Sequence, residues 1–293
     1  MKLKLLFFIT LLLSSSLYAQ EEEAVAYELA TDYNLWNIHP GDTSFVFVNN
    51  AYVRSYPSLD SEILDSIPVG TTVHILSEPY NGTTVKGFYT PWHEISYTKD
   101  DQVEKGFIWL GLLALRNNTN EKGERYIYGF DRFVRTGNTE YNPDHYLCTV
   151  KLLRADGKVA GSHTFHFDYL NQTYTHSKLL PNMGLAGLEQ IYRVEFHGEA
   201  CGIPTNYYYV GWNGKEFMSM PNRYSVSDAG IYYYDESILF PSEHKQEPNM
   251  IYKLIEQGEA IGENEEDYEY AIQKKEEKYS WNGEYFSQIL ELK

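Results

Sequence analysis

The sequence predicts a mostly β protein with two folding units, and three observations carry that reading. Beyond residue 42 the chain is a succession of short runs of alternating polar and apolar residues broken by Gly, Pro and Asn-Gly, the pattern of strands joined by turns. With 293 residues there is chain enough for about two domains of ordinary size. A hairpin motif also recurs, as Trp212-Asn213-Gly214-Lys215-Glu216-Phe217 and again as Trp281-Asn282-Gly283-Glu284-Tyr285-Phe286. In it Asn-Gly is expected to supply the positive φ angles of a tight turn, across which the aromatics meet. Two copies are too few to specify a propeller, so the second unit is expected to be an antiparallel sandwich, meander or propeller-like array.

The chain opens with Lys2 and Lys4, an apolar run over 5–13, small residues and Ala19, which is the pattern of a secretory signal peptide over 1–19. The run is too short to span a bilayer, and no later run is long enough, so no integral membrane segment is expected once the signal is removed. The product is therefore expected in the periplasm or outside the cell. A lead segment follows over 20–38, with a short helix expected within it until His39-Pro40-Gly41-Asp42 breaks the pattern. Strands are expected over 44–48, 51–55 and 71–76, with a turn over 57–60 and a hairpin at Asn81-Gly82. The polar stretch 116–124 contains no apolar residue to bury, and it is read as the linker before a β-rich unit over 125–293. Further turns are expected at Asp156-Gly157 and in the two Trp-Asn-Gly motifs.

A formal net charge of −17, from 24 Lys and Arg against 41 Asp and Glu, argues against partners that demand a basic surface. Nucleic acid is set aside on that ground.

Over 39–115 the chain resembles the bacterial SH3-like domain. The residues that carry the likeness are Gly41 to Val48, the Val53-Arg54-Ser55-Tyr56-Pro57-Ser58 core, Val69-Gly70, Val73 to Leu76, and Gly106 to Leu113. The resemblance covers about a quarter of the chain. It implies a small β-barrel of the kind found in exported bacterial proteins, where it binds a cell-wall peptide or an envelope protein, and it implies no chemistry of its own. Tyr56 departs from the family, which often has a small residue there. The remainder, including 198–202 and 227–234, is similar to the tails of other exported SH3-like proteins, and that likeness implies no activity.

Candidate site residues follow from these readings. Tyr56 and Tyr80 flank turns and are expected to line a ligand groove, because tyrosine offers rigid, amphipathic contact area. Trp92 and Trp109 are expected in the core instead. Ser162-His163-Thr164-Phe165-His166-Phe167-Asp168-Tyr169, with His176 nearby, is the densest chemical cluster. Strand alternation nevertheless sends His163 and His166 to opposite faces, so they cannot chelate one ion together. No Cys-x-x-Cys, His-Glu-x-x-His or phosphate-cradling glycine loop is present, and no catalytic, metal or cofactor residue is assigned. The acidic run 263–269 lacks the glycine-containing spacing of a calcium loop and is read as solvated. Cys148 and Cys201 are the only cysteines, and in an exported chain they can pair or stay free; a disulfide would stabilise the fold by about 4 kcal/mol. The reading that results is an exported, non-catalytic binding or scaffold protein. The alternative is a cell-wall hydrolase with an unrecognised C-terminal active site, for which Cys201 is the conceivable nucleophile, although Gly202-Ile203-Pro204 after it prevents the helix that usually activates one.

Overall fold

The computed structural model describes residues 35–137, 143–168, 171–228, 230–261 and 269–290. The stretch 1–19 read as a signal peptide, most of the expected lead segment and nearly all of the acidic run lie outside the described residues. The chain is almost entirely antiparallel β, laid down as three consecutive sheets.

The first sheet contains β1 (Thr43–Phe45), β2 (Asn50–Arg54), β3 (Ile63–Pro68), β4 (Thr72–Ile75), β5 (Tyr80–Val85), β6 (Phe88–Lys99) and β7 (Gln102–Trp109). Its order is β1-β4-β6-β7-β2-β3, with β5 paired to β6. A 3-10 turn at Leu110–Leu112 leads to the second sheet, built from β8 (Arg116–Thr119), β9 (Arg125–Val134), β10 (His145–Leu153) and β11 (Val159–Phe167) in the order β11-β10-β9-β8. The third sheet begins with β12 (Tyr174–Leu180), β13 (Gln190–His197), β14 (Thr205–Trp212), β15 (Phe217–Ser219), β16 (Arg223–Asp228) and β17 (Tyr232–Leu239). A single helical turn, α1 (Pro241–His244), precedes β18 (Met250–Ile261), β19 (Glu269–Trp281) and β20 (Phe286–Ile289). Strand order here follows chain order from β12 to β20, except that β15 stands aside on β14.

The closed barrel implied over 39–115 is not formed, since β1 and β3 end the first sheet as separate edges. The physical reason lies in the second sheet, which covers the residues a barrel would enclose by itself. Phe47 packs against Gly129, where an added Cβ would come within 2.8 Å of the ring. The Arg125 guanidinium lies 3.9 Å from the centre of the Phe45 ring, and the Lys151 ammonium donates to the Phe47 carbonyl at 2.8 Å. One hydrophobic cluster accordingly runs from Leu35 through all three sheets to Trp212.

The stretch expected as a linker is also different. Residues 116–119 form β8, registered against β9 from Arg116 opposite Tyr128 to Thr119 opposite Arg125. A strand needs backbone partners, not apolar side chains, and β9 supplies them. Arg116 adds donations to the carbonyls of Leu35 and Trp36 at 3.2 and 2.7 Å.

The expected turn at Asn81-Gly82 lies inside β5. The hairpin instead turns at Lys86-Gly87, both with positive φ (54° and 86°), between Val85 and its partner Phe88. Both Trp-Asn-Gly motifs do form hairpins, with Trp212 opposite Phe217 and Trp281 opposite Phe286. Their turns differ from the expected two-residue form: four residues separate the paired aromatics, and of these only the glycine carries positive φ, at 87° and 97°. The asparagine side chain acts in its place, Asn213 Oδ1 accepting from the backbone of Lys215 and Glu216, and Asn282 Oδ1 from that of Glu284 and Tyr285.

Candidate functional site

The two groove tyrosines are 24 residues apart in sequence, and the fold brings both to one ring. Tyr56 sits in the β2–β3 connection, where its carbonyl accepts from the Ser61 hydroxyl at 2.8 Å. Tyr80 opens β5 opposite Trp92. Between them stands Phe107 of β7, its ring centre 6.3 Å from that of Tyr56 and 5.6 Å from that of Tyr80, the latter edge to face. Arg54 and Glu94 lie opposite Phe107 on either side. Leu59 and Ile63, close to half exposed, extend the apolar surface along the same connection. Trp92 and Trp109 are buried, as expected, and their indole nitrogens donate to Thr83 and Thr90. The patch thus consists of exposed Tyr56 beside the partly buried rings of Phe107 and Tyr80, with buried Trp92 and Trp109 in the adjoining row. Phe107 was not singled out in the sequence, and alternation gave no signal for it, since residues 102–105 are exposed on both parities while Trp109, on the same parity as Phe107, is buried.

The histidine cluster divides as strand alternation requires. His163 turns toward the third sheet, with Nε2 3.2 Å from the Ser219 hydroxyl, and burial lowers its pKa. His166 lies on the opposite side and stacks on His145, ring centres 4.3 Å apart. His176 is on another strand, β12. Asp168 follows β11 as an exposed residue, and Tyr169 lies outside the described residues. Among the described residues no group of three or more His, Cys, Asp or Glu is placed to hold a metal ion.

A denser electrostatic centre, absent from the candidates above, occupies β13. The buried carboxylate of Glu195 accepts from Arg193 Nε at 2.6 Å and pairs with His197 Nε2 at 2.9 Å. His176 Nδ1 stands 3.8 Å away. Burial alone would raise the Glu195 pKa, but the His197 hydrogen bond and the Arg193 charge outweigh it and hold the group at about 2. His197 is stacked at 4.4 Å on Tyr174, while Arg223 lies 3.6 Å from the centre of the neighbouring Tyr207 ring. Glu195 is therefore an ionised anchor for its neighbours and not a proton donor. Arginine, glutamate and histidine at alternate positions 193, 195 and 197 were a legible signal for one shared strand face.

The disulfide left open by the sequence is not formed. Cys148 is buried in β10, which pushes its thiol well above the usual range, whereas Cys201 is an exposed free thiol in the turn after β13. Among the described residues Cys201 makes no hydrogen bond to a histidine, and the His197 side chain is engaged by Glu195. The arrangement that a cysteine nucleophile requires is not assembled there.

No helix among the described residues is long and apolar enough to cross a membrane. Comparison of the chain with family models, with curated proteins and with solved structures found no match.

Proposed function

We propose that this chain is an exported, non-catalytic binding module that acts in the periplasm or outside the cell and holds a cell-wall peptide or an envelope protein on the Tyr56–Phe107–Tyr80 patch. The observation that carries the reading is the convergence of two turn tyrosines on one partly buried phenylalanine, with buried Trp92 and Trp109 in the adjoining row of the same sheet face. Rigid aromatics backed by a packed core lose little entropy on binding, which is why such residues dominate interface energetics. The likeness of 39–115 to bacterial SH3-like domains and the signal-like start support the class of partner and the location.

The test is co-sedimentation of the mature protein with purified peptidoglycan. Binding without release of soluble fragments is expected, and the Tyr56→Ala/Tyr80→Ala double variant should bind more weakly by at least about 1 kcal/mol with its unfolding midpoint retained. Release of soluble fragments that Cys201→Ser abolishes would overturn the reading in favour of a hydrolase.

A further inference from the structure

The third sheet carries a second concave surface, far in sequence from the aromatic patch. Cross-strand register places Ser227, Tyr233 and Gly258 in one row, and Ser225, Asp235, Glu256 and Lys274 in the next, all on one face of β16–β19. Two hollows lie on it. One of about 440 Å3 is walled by the turn after β13 and floored by Ser225, Ser227, Tyr233 and Asp235; the other, of about 540 Å3, includes Asp235, Leu254, Glu256 and Lys274. They meet at Asp235, so the surface is a trough suited to an extended ligand. Each has the size of a ligand pocket.

Three features of the trough are poorly explained by stability. The Tyr233 ring leans across β18 over Gly258, where an added Cβ would come within 2.4 Å of it. A glycine inside a strand weakens the strand, and here it permits an aromatic platform. Asp235 and Glu256 stand directly opposite each other on neighbouring strands, a pairing of like charges that destabilises a sheet. Glu256 is compensated by the Tyr233 hydroxyl at 2.8 Å and by Lys274 at 2.7 Å, whereas the exposed Asp235 side chain makes no hydrogen bond among the described residues and interacts with Arg223 only through its charge. Local rules broken together in this way are characteristic of functional sites.

We infer that this trough binds an uncharged oligosaccharide. The C–H face of a sugar ring fits an aromatic platform, and vicinal hydroxyls fit a carboxylate acceptor flanked by the hydroxyls of Ser225 and Ser227. The described lining of the first hollow carries no positive charge, and the two lysines of the second, Lys274 and Lys275, are paired with Glu256 and Glu277, so neither hollow calls for an anion. Glu256 serves as an acceptor: Lys274, and after it Tyr233, hold it below the usual carboxylate range, so it stays ionised and is unsuited to protonate a glycosidic oxygen. The site is separate from the Tyr56–Phe107–Tyr80 patch and stands or falls independently of it.

Calorimetric titration of the full chain with N-acetylchitotetraose and with cellotetraose tests the inference, with tetralysine as a cationic probe. At least one of the two saccharides should bind. Tyr233→Ala and Asp235→Ala should each weaken that binding tenfold or more, Tyr233→Phe should retain it within a few-fold, and Tyr56→Ala/Tyr80→Ala should leave it unchanged. Unfolding midpoints identify any variant that has lost its fold, in which case Asp235→Asn and Tyr233→Phe together provide the reading, with a smaller combined loss expected. Failure of both saccharides to bind, binding of tetralysine alone, or saccharide binding indifferent to these substitutions would overturn it.

Discussion

Strand β9 and the β18–β19 hairpin are both long antiparallel segments, yet they are stabilised by opposite means. In β9 the run Tyr126-Ile127-Tyr128-Gly129-Phe130 is buried without interruption, because the second sheet lies between the other two. Its even positions meet the third sheet, where Tyr126 is 5.3 Å from Tyr192 and Phe130 stacks 6.0 Å from Phe196. Gly129 faces the first sheet, and the missing side chain is the space that Phe47 fills. The outer half of the β18–β19 hairpin has no such cover. Most of β19 is exposed, and its linked cross-strand side chains include polar pairs, Glu256 with Lys274 and Gln257 with Gln273. A strand covered on both faces draws its stability from packing, whereas a strand open on both faces keeps its register through many small polar pairs. Strand β13 is intermediate, with Val194 and Phe196 turned to the core and Glu195 held by polar partners.

Substitution at each of the three levels should therefore give a graded response. Phe130→Ala should destabilise most, by about 3–5 kcal/mol, because its neighbouring rings, held by all three sheets, cannot collapse fully into the cavity. Urea denaturation would show it as a lower midpoint at unchanged slope, and a loss below about 1 kcal/mol would mean that the middle sheet is not packed on both sides.

Glu195→Gln comes next. The Glu195 pKa falls from an ordinary 4.5 to about 2 on folding, so its ionised form contributes stability in full above pH 4.5 and loses it as pH falls toward 2. The native protein should lose on the order of 2 kcal/mol from this group across that window. The Gln variant should be weaker at neutral pH and should lack this part of the acid dependence; parallel pH profiles for the two proteins would refute the Glu195 assignment.

Lys274→Ala should have the smallest effect. Both partners of the Lys274–Glu256 pair are well exposed, and pairs of that kind are screened by water and salt. Its unfolding midpoint should match the native one, and any difference should vanish as salt is raised. A large, salt-independent loss would place the hairpin in the same packing class as β9.

The sequence by itself determined the local features of this protein. Strand class followed from alternation, and the two Trp-Asn-Gly hairpins followed from one asparagine side chain and one glycine, all within six residues. The division of His163 from His166 followed from the period of two. What only the tertiary structure decided was which neighbour each face meets. The polar segment after Leu115 became β8 because β9 offered it backbone partners, and no side chain in it announces that. Residues 39–115 stayed an open sheet because Gly129, Arg125 and Lys151, all further along the chain, cover Phe45 and Phe47. Phe107 joined Tyr56 to Tyr80 only once β7 lay beside β2 and β6. Alternation reports that a face is buried or open, but register and the packing of one sheet on another choose its partner, and these are set by contacts tens of residues apart.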